Sequence, residues 1–282
     1  MNQPITVIKI GGTRDVWNRE KLRRSLKAAG ATDDIADDII FHVEKDLHDG
    51  MHTTEIYKHA FSLLKRTHRP LAAQYSLKKA IMQLGPSGFP FERFVAHILE
   101  KEGYRTQVGV MVKGACVTHE VDVVAEKDDE RIIVEAKYHN SPEIKTDVKV
   151  ALYVRARFTD IASRYEATDQ QNGAEHYQRA WLITNTSFTT QAIEYGQCVG
   201  LYMTGWNYPK GRTLQDIIQS TQTHPITSLT TLTTAQKQQL LEKGIVLCQD
   251  VLRDPDQLGK IGVTKDRMKQ VIDEGSSLCP LI

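Results

Sequence analysis

The stretch HEVDVVAEKDDERIIVEAKYH, residues 119–139, decides the reading of this chain. Two runs rich in Val, Ile and Ala flank the polar tetrapeptide KDDE, the pattern of a β-hairpin. A two-residue loop at Asp128 and Asp129 pairs Lys127 with Glu130, Val124 with Ile133 and Asp122 with Glu135. Strand side chains alternate, so Glu120, Asp122 and Val124 share a face with Ile133, Glu135 and Lys137. Val121, Val123 and Ala125 share the other with Ile132, Val134 and Ala136, and that face is expected to be wholly apolar. Two carboxylates and an ammonium thus gather at one end, with opposed Cβ atoms about 4.5–5.5 Å apart. Oxygens at that spacing can share a hard cation, since Mg²⁺ keeps several waters and is commonly held by one or two carboxylates plus phosphate oxygens. Lys137 on the same face is placed to orient water and to offset charge growing on a phosphate. A polar outer face with Lys137 in a cross-strand salt bridge to Glu120 or Glu135 accounts for the same residues as well.

Upstream of the hairpin, FERFVAHILEKEGY (91–104) reads as a helix with Phe91, Phe94, Val95, Ile98 and Leu99 along one side, and QVGVMVKGACV (107–117) as a strand. Downstream come a long helix at TDVKVALYVRARFTDIASRY (146–165), a buried strand at RAWLITN (179–185), a helix at TTQAIEYGQCVG (189–200) and a last strand at LYMTGW (201–206). The order is α-β-β-β-α-β-α-β. Gly- and Pro-rich breaks at QLGPSGFP (83–90) and WNYPKGR (206–212) bound this segment. Before it, ITVIKI (5–10), a Gly11-Gly12 turn and DVW (15–17) form a candidate hairpin, and Asn18 offers an N-cap to REKLRRSLKAAG (19–30). Helical spacing continues at 33–47, 53–67 and 70–84. After it, a Thr-rich run leads into short helices with turns at Gly244 and Gly262.

The whole chain, 282 residues with 40% hydrophobic and 25% charged, supports two or three compact domains. No apolar run approaches the roughly 20 residues of a membrane span, and no charged-then-apolar leader is visible. Cys116, Cys198, Cys248 and Cys279 lie too far apart for a CxxC metal pair or a disulfide framework, so a cytoplasmic protein is expected. The net charge of +1 denies the chain a wholesale basic field. Residues 89–208 carry 17 Asp/Glu against 13 Lys/Arg, so a polyanion there must meet local patches or metal ions.

The spacing Asp-(x12)-Glu-x-Lys behind an amphipathic helix resembles the PD-(D/E)xK nuclease superfamily, and most closely the Mrr-type restriction endonuclease catalytic domain, over about residues 89–209. No Pro-Asp dipeptide stands at Asp122. The resemblance implies that Asp122 and Glu135 bind Mg²⁺ or Mn²⁺, that Lys137 is the catalytic lysine and that Glu92 is the acid of the first helix. It implies metal-dependent hydrolysis of double-stranded DNA, with a homodimer as one candidate state. Glu92 is equally a solvated glutamate favoured by the helix dipole. His119 reads as a structural histidine beside the site, and Glu126, Asp128, Asp129 and Glu130 as a solvated turn.

Residues 5–84 resemble the ATP-cone, a regulatory nucleotide-binding module, through Val7, Lys9, Gly12 and the pair Lys21-Leu22; Ile10 and Gly11 replace the family's arginine and aspartate. The match implies that Lys9, Gly12, Asp15, Asn18, Lys21 and Thr53 contact ATP or dATP. By residues alone this is a hairpin turn with surface lysines. Lys58, His59 and Lys65 on a neighbouring helix are further phosphate candidates or a solvated face. Residues 234–278 look like a helix-hairpin-helix domain, which implies contact with DNA backbone; a structural role stands equally open. The expected fold is multidomain α/β: a small, mostly α cone with a β-hairpin (1–86), a restriction-endonuclease-like α/β domain (89–209) and an all-α helix-hairpin-helix-like domain (225–282). The expected function is a Mg-dependent restriction endonuclease regulated by ATP or dATP. The alternatives are a structure-specific repair nuclease and a non-catalytic, nucleotide-responsive DNA-binding regulator.

Overall fold

A computed structural model describes residues 4–281 apart from Ile10, Asp129 and residues 173–176. Ile10 of the cone motif and Asp129 of the hairpin loop therefore lie outside the described residues.

Strands β1 (Thr6–Ile8) and β2 (Arg14–Val16) pair antiparallel around Gly12, whose φ of 78° is the left-handed conformation a glycine turn supplies. Asn18 accepts hydrogen bonds from the amides of Glu20 and Lys21 and starts α1 (Arg19–Ala28), the cap read from the sequence. Helix α2 (Asp33–Asp46) follows, then β3 (Met51–His52), which lies parallel to β1. Only two residues pair in β3, too few for a periodic signal. Next come α3 (Thr53–Thr67), α4 (Arg69–Tyr75) and α5 (Leu77–Ile81). The single helix expected over 70–84 is broken at Ser76, whose hydroxyl donates back to the Ala73 carbonyl at 3.1 Å. Leu26, Ile40 and Leu64 are fully buried among these helices.

The central part runs α6 (Phe89–Lys101), β4 (Arg105–Lys113), β5 (Thr118–Lys127), β6 (Glu130–Lys137), β7 (Lys145–Thr146), α7 (Val148–Asn172), β8 (Arg179–Thr184), β9 (Ser187–Phe188), α8 (Thr190–Val199) and β10 (Tyr202–Thr204). The sheet order is β10-β8-β6-β5-β4: β4, β5 and β6 form an antiparallel meander, while β6, β8 and β10 run parallel. Parallel neighbours need crossovers, and α7 and α8 supply them on one face while α6 covers the other. The short β7 and β9 pair separately.

The hairpin register follows the sequence reading from Lys127 opposite Glu130 to Val123 opposite Val134, where β5–β6 pairing stops. Asp122 and Glu135 therefore do not form the next rung, and Glu120 is paired across to Met111 rather than to Lys137. The wholly apolar face also needs correction. Val123, Ala125, Ile132, Val134 and Ala136 pack with α6, whereas Val121 packs with Val124 and Ile133 on the α7 side. The alternation breaks because Gly109, with φ of 66°, stands between the pairs Val108–Val123 and Val110–Val121, opposite Asp122.

The chain ends in α9 (Leu214–Thr221), a 3-10 turn (Ile226–Ser228), α10 (Thr234–Glu242), α11 (Cys248–Arg253), α12 (Asp256–Gly259) and α13 (Lys265–Leu278). Gly244 and Gly262 turn the chain with φ of 77° and 75°, as their position in the sequence predicts. These helices share one apolar cluster with α5, α6 and the sheet: Leu240, Val251 and Val271 join Leu77, Ile81, Phe91 and Phe94. Among the described residues no helix is long and apolar enough to cross a membrane.

Glu274 of α13, 4% exposed, holds the segment before α10. Its carboxylate accepts from the amide and hydroxyl of Thr230 at 2.8 and 2.6 Å and of Thr231 at 2.9 and 2.6 Å. Glu274→Ala strands these donors and is expected to lower unfolding free energy by about 3 kcal/mol, measured by urea denaturation. A loss below about 1 kcal/mol would mean that the threonines turn to water instead.

Candidate active site

Where the ladder stops, the Asp122 side chain replaces a main-chain acceptor: the Ala136 amide donates to Asp122 Oδ2 at 2.8 Å. Glu135, next to it on β6, accepts from Arg157 Nη1 of α7 at 2.5 Å, and both side chains are largely buried, at 15% and 10% exposure. Arg157 also stacks over the Tyr153 ring at 4.4 Å and hydrogen-bonds to the Tyr153 hydroxyl. Burial pushes the Asp122 carboxyl up, against the pull of the Ala136 amide and of Arg157. Burial and then repulsion from Asp122 push Glu135 up, against Arg157 and Lys137. Glu92, in the first turn of α6, is raised to about 7 by burial and by the charges of Asp122, Glu120 and Glu135. The structure therefore brings the three expected acids within one field. Lys137 acts on both Asp122 and Glu135, yet among the described residues its ammonium forms no ion pair within 4 Å, so the cross-strand salt bridge is not made.

No group of three or more His, Cys, Asp or Glu among the described residues stands close enough to hold a metal ion. Asp122 and Glu135 each keep one carboxylate oxygen, Asp122 Oδ1 and Glu135 Oε1, without a hydrogen bond among the described residues. All-oxygen donors on buried carboxyls, raised first by burial and at Glu135 and Glu92 also by neighbouring carboxylates, fit a hard divalent cation completed by water and phosphate.

Other residues fall elsewhere. His119 Nε2 lies 2.7 Å from Asp160 Oδ2 of α7, whose carboxylate also accepts from the amides of Cys116 and Val117. That histidine staples β5 to α7, and contact with it holds the Asp160 carboxyl well below its usual range. Glu126 pairs with Arg131 at 2.9 Å and Glu130 with Arg179 at 3.0 Å, while Asp128 is exposed in the left-handed region at φ 51°. At the end of β6, the His139 amide donates to Asn185 Oδ1 and Asn185 Nδ2 donates to the His139 carbonyl, each at 2.8 Å. Lys78 Nζ of α5 donates to the Asn185 carbonyl at 2.6 Å, and burial lowers this lysine to about 8. The sequence reading missed Arg157, Asn185 and Lys78. The one signal for Arg157 was its place a helical turn after Tyr153.

In the N-terminal unit, Lys9, Asp15, Asn18, Lys21 and Thr53 line one cavity of about 250 Å³ with Trp17 and Ile56, and Gly12 lies outside that lining. Asp15 Oδ2 stands 2.8 Å from both Lys9 Nζ and Lys21 Nζ, and the hydrogen bonds from Lys21 and Lys9 hold its carboxyl well below the usual range. An incoming phosphate must therefore compete with Asp15 for both lysines, and Asn18 is already engaged as the cap of α1.

Residues 224–279 match the family described as AF1548-like, C-terminal, and residues 85–201 match the restriction endonuclease family. An uncharacterized protein of Archaeoglobus fulgidus is 35% identical over 185 residues, 65% of this chain and 99% of that protein. The chain belongs to the AF1548-like family. The crystal structure of AF1548, a protein of unknown function, superposes with a TM-score of 0.55 at 34% identity, covering 68% of this chain and 98% of that one. The MspJI restriction endonuclease in complex with a 27-mer oligonucleotide overlaps at a TM-score of 0.30 and 14% identity over 48% of this chain and 29% of MspJI, too little to carry an inference. The AF1548-like chain thus joins a restriction-endonuclease-like α/β domain to a C-terminal helical domain.

Without metal, folded Glu92 keeps its proton to about pH 7, whereas the unfolded carboxyl releases it near 4.5. The folded state holds more protons in that window, so the residue's contribution is full below about pH 4.5 and is lost as pH rises through 7. Glu92→Gln should therefore gain stability relative to wild type at pH 8 compared with pH 5, read from urea midpoints. An equal difference at both pH values would show that Glu92 titrates as an ordinary surface carboxylate.

Proposed function

We propose that the AF1548-like chain is a Mg²⁺- or Mn²⁺-dependent endonuclease that hydrolyses phosphodiester bonds of double-stranded DNA in restriction, with ATP or dATP as a regulatory ligand. The reading rests on Glu92, Asp122 and Glu135 sharing one field beside a Lys137 that forms no ion pair among the described residues, within a segment that matches the restriction endonuclease family. Asp122 and Glu135 would hold the ion. When bound, it supplies Lewis-acid polarisation of the phosphate and a water made acidic enough to attack near neutral pH. Lys137, free of an ion pair, orients the attacking water and meets charge building on the phosphate oxygens. Arg157 fixes the Glu135 rotamer through a charge-assisted hydrogen bond and favours its ionised form. Glu92, with a proton half-held near neutrality, suits proton transfer at the edge of the site.

The proposed division is a nucleotide-sensing cone over 1–86, the nuclease over 89–209 and a helix-hairpin-helix-like DNA-contacting part over 225–282. The cavity beside Lys9 and Lys21 supports the first, because its two lysines share a wall with an apolar floor of Trp17 and Ile56.

Asp122→Asn and Lys137→Ala are each expected to slow Mg²⁺-dependent nicking of supercoiled plasmid by about 10²–10³-fold or more, with circular dichroism unchanged. Full cleavage by either purified variant refutes the assignment. ATP or dATP is expected to change the nicking rate without being consumed, and Lys21→Ala to remove that response. Equal rates with and without nucleotide would remove the cone from the proposal.

A further inference from the structure

Between α3, α5 and the C-terminal helices lies a cavity of about 380 Å³ that the nuclease chemistry does not use. Lys58 and Lys65 of α3, Lys79 of α5 and Lys237 of α10 line it, together with Ser228 and Thr234, and none of its lining residues is Asp or Glu. Lys65 Nζ donates to the Thr230 carbonyl at 3.1 Å and Lys237 Nζ to the Thr227 carbonyl at 2.6 Å, which fixes both ammonium groups at the wall. Lys58 and Lys79 are exposed and form no ion pair within 4 Å among the described residues.

Lys237 is lowered to about 8 by burial, with Lys79 and Lys65 adding repulsion and Glu274 opposing. Glu274, the acid that opposes this shift, lies outside the lining, and its carboxylate is already occupied by four donors from Thr230 and Thr231. The Ser228 hydroxyl, in a residue 1% exposed, has no hydrogen-bond partner among the described residues, although buried hydroxyls ordinarily find one. Four like charges therefore face a common space with no acid in its walls, beside an unsatisfied donor. On another wall the stacked rings of Tyr57 and Phe61, 6.2 Å apart, offer an apolar surface. The volume falls in the range of small-molecule sites.

We propose that this cavity is an anion site for a small polyphosphate of nucleotide size, whose phosphates meet the four lysines while the Tyr57–Phe61 wall receives the base. The ligand would tie α3 and α5 to α10. The site is separate from the Lys9–Lys21 cavity, though Tyr57 borders both, and it requires neither nuclease activity nor nucleotide at the hairpin.

The test is calorimetric titration of the full chain with ATP and with inorganic tripolyphosphate at physiological salt. Both are expected to bind. The double variant Lys58→Ala/Lys79→Ala, at two exposed positions, should weaken tripolyphosphate by about 100-fold, roughly tenfold per charge-assisted contact, and should weaken ATP equally once Lys21→Ala has removed the hairpin site. Lys21→Ala should leave tripolyphosphate binding unchanged. The proposal is overturned if tripolyphosphate does not bind. It is overturned equally if Lys21→Ala abolishes binding while the double variant retains it, which would place the phosphate at the hairpin. An equal loss in Lys101→Ala/Lys260→Ala, at remote exposed lysines, would reduce the effect to non-specific charge. Tripolyphosphate binding without ATP binding would overturn the nucleotide part.

Discussion

The hydrogen bond from the Ala136 amide to the Asp122 carboxylate is the constraint on which the central domain turns. A β-ladder ordinarily satisfies every inward amide with a main-chain carbonyl, and a buried amide without an acceptor is costly. By taking that role, Asp122 lets β5 and β6 part while Ala136 stays in the α6 core. On the other side Gly109 of β4, in the left-handed region at φ 66°, stands opposite Asp122. Glu135 reaches Arg157 of α7, and Lys137, in register with Thr184 of β8, forms no ion pair among the described residues.

Burying carboxylates this close together is unfavourable unless cations answer them. Arg157 lowers both Asp122 and Glu135, burial outweighs it so that both stay raised, and Glu92 keeps its proton toward neutrality. His119 with Asp160 shows the opposite case in the same fold, an acid held well below its usual range by a histidine partner.

A single apolar cluster carries α6 from the sheet to the C-terminal helices and on to α5. Polar ties follow the same route. Lys78 of α5 reaches the Asn185 carbonyl beside β8, and the Thr227 hydroxyl donates to the Ala80 carbonyl at 2.7 Å. The segment around α5 therefore touches both the strand ends near Lys137 and the cavity of four lysines.

Local pattern was enough for the main helices and strands of the central segment, for the hairpin register from Lys127–Glu130 to Val123–Val134 and for the Asn18 cap, because alternation, turn chemistry and spacing act between near neighbours in the chain. It could not show that the ladder ends one rung early, that Val121 changes sides, or that Ser76 splits a helix, since each depends on atoms supplied by another strand or turn. Arg157 looked like one more helical charge until α7 packed over Glu135. Lys58 and Lys65 read as phosphate candidates or a solvated face of one helix, and only the approach of α10 to α3 and α5 adds Lys79 and Lys237 to them. Short-range preference is written in the sequence; convergence of distant charges is decided by where the buried apolar faces come to rest.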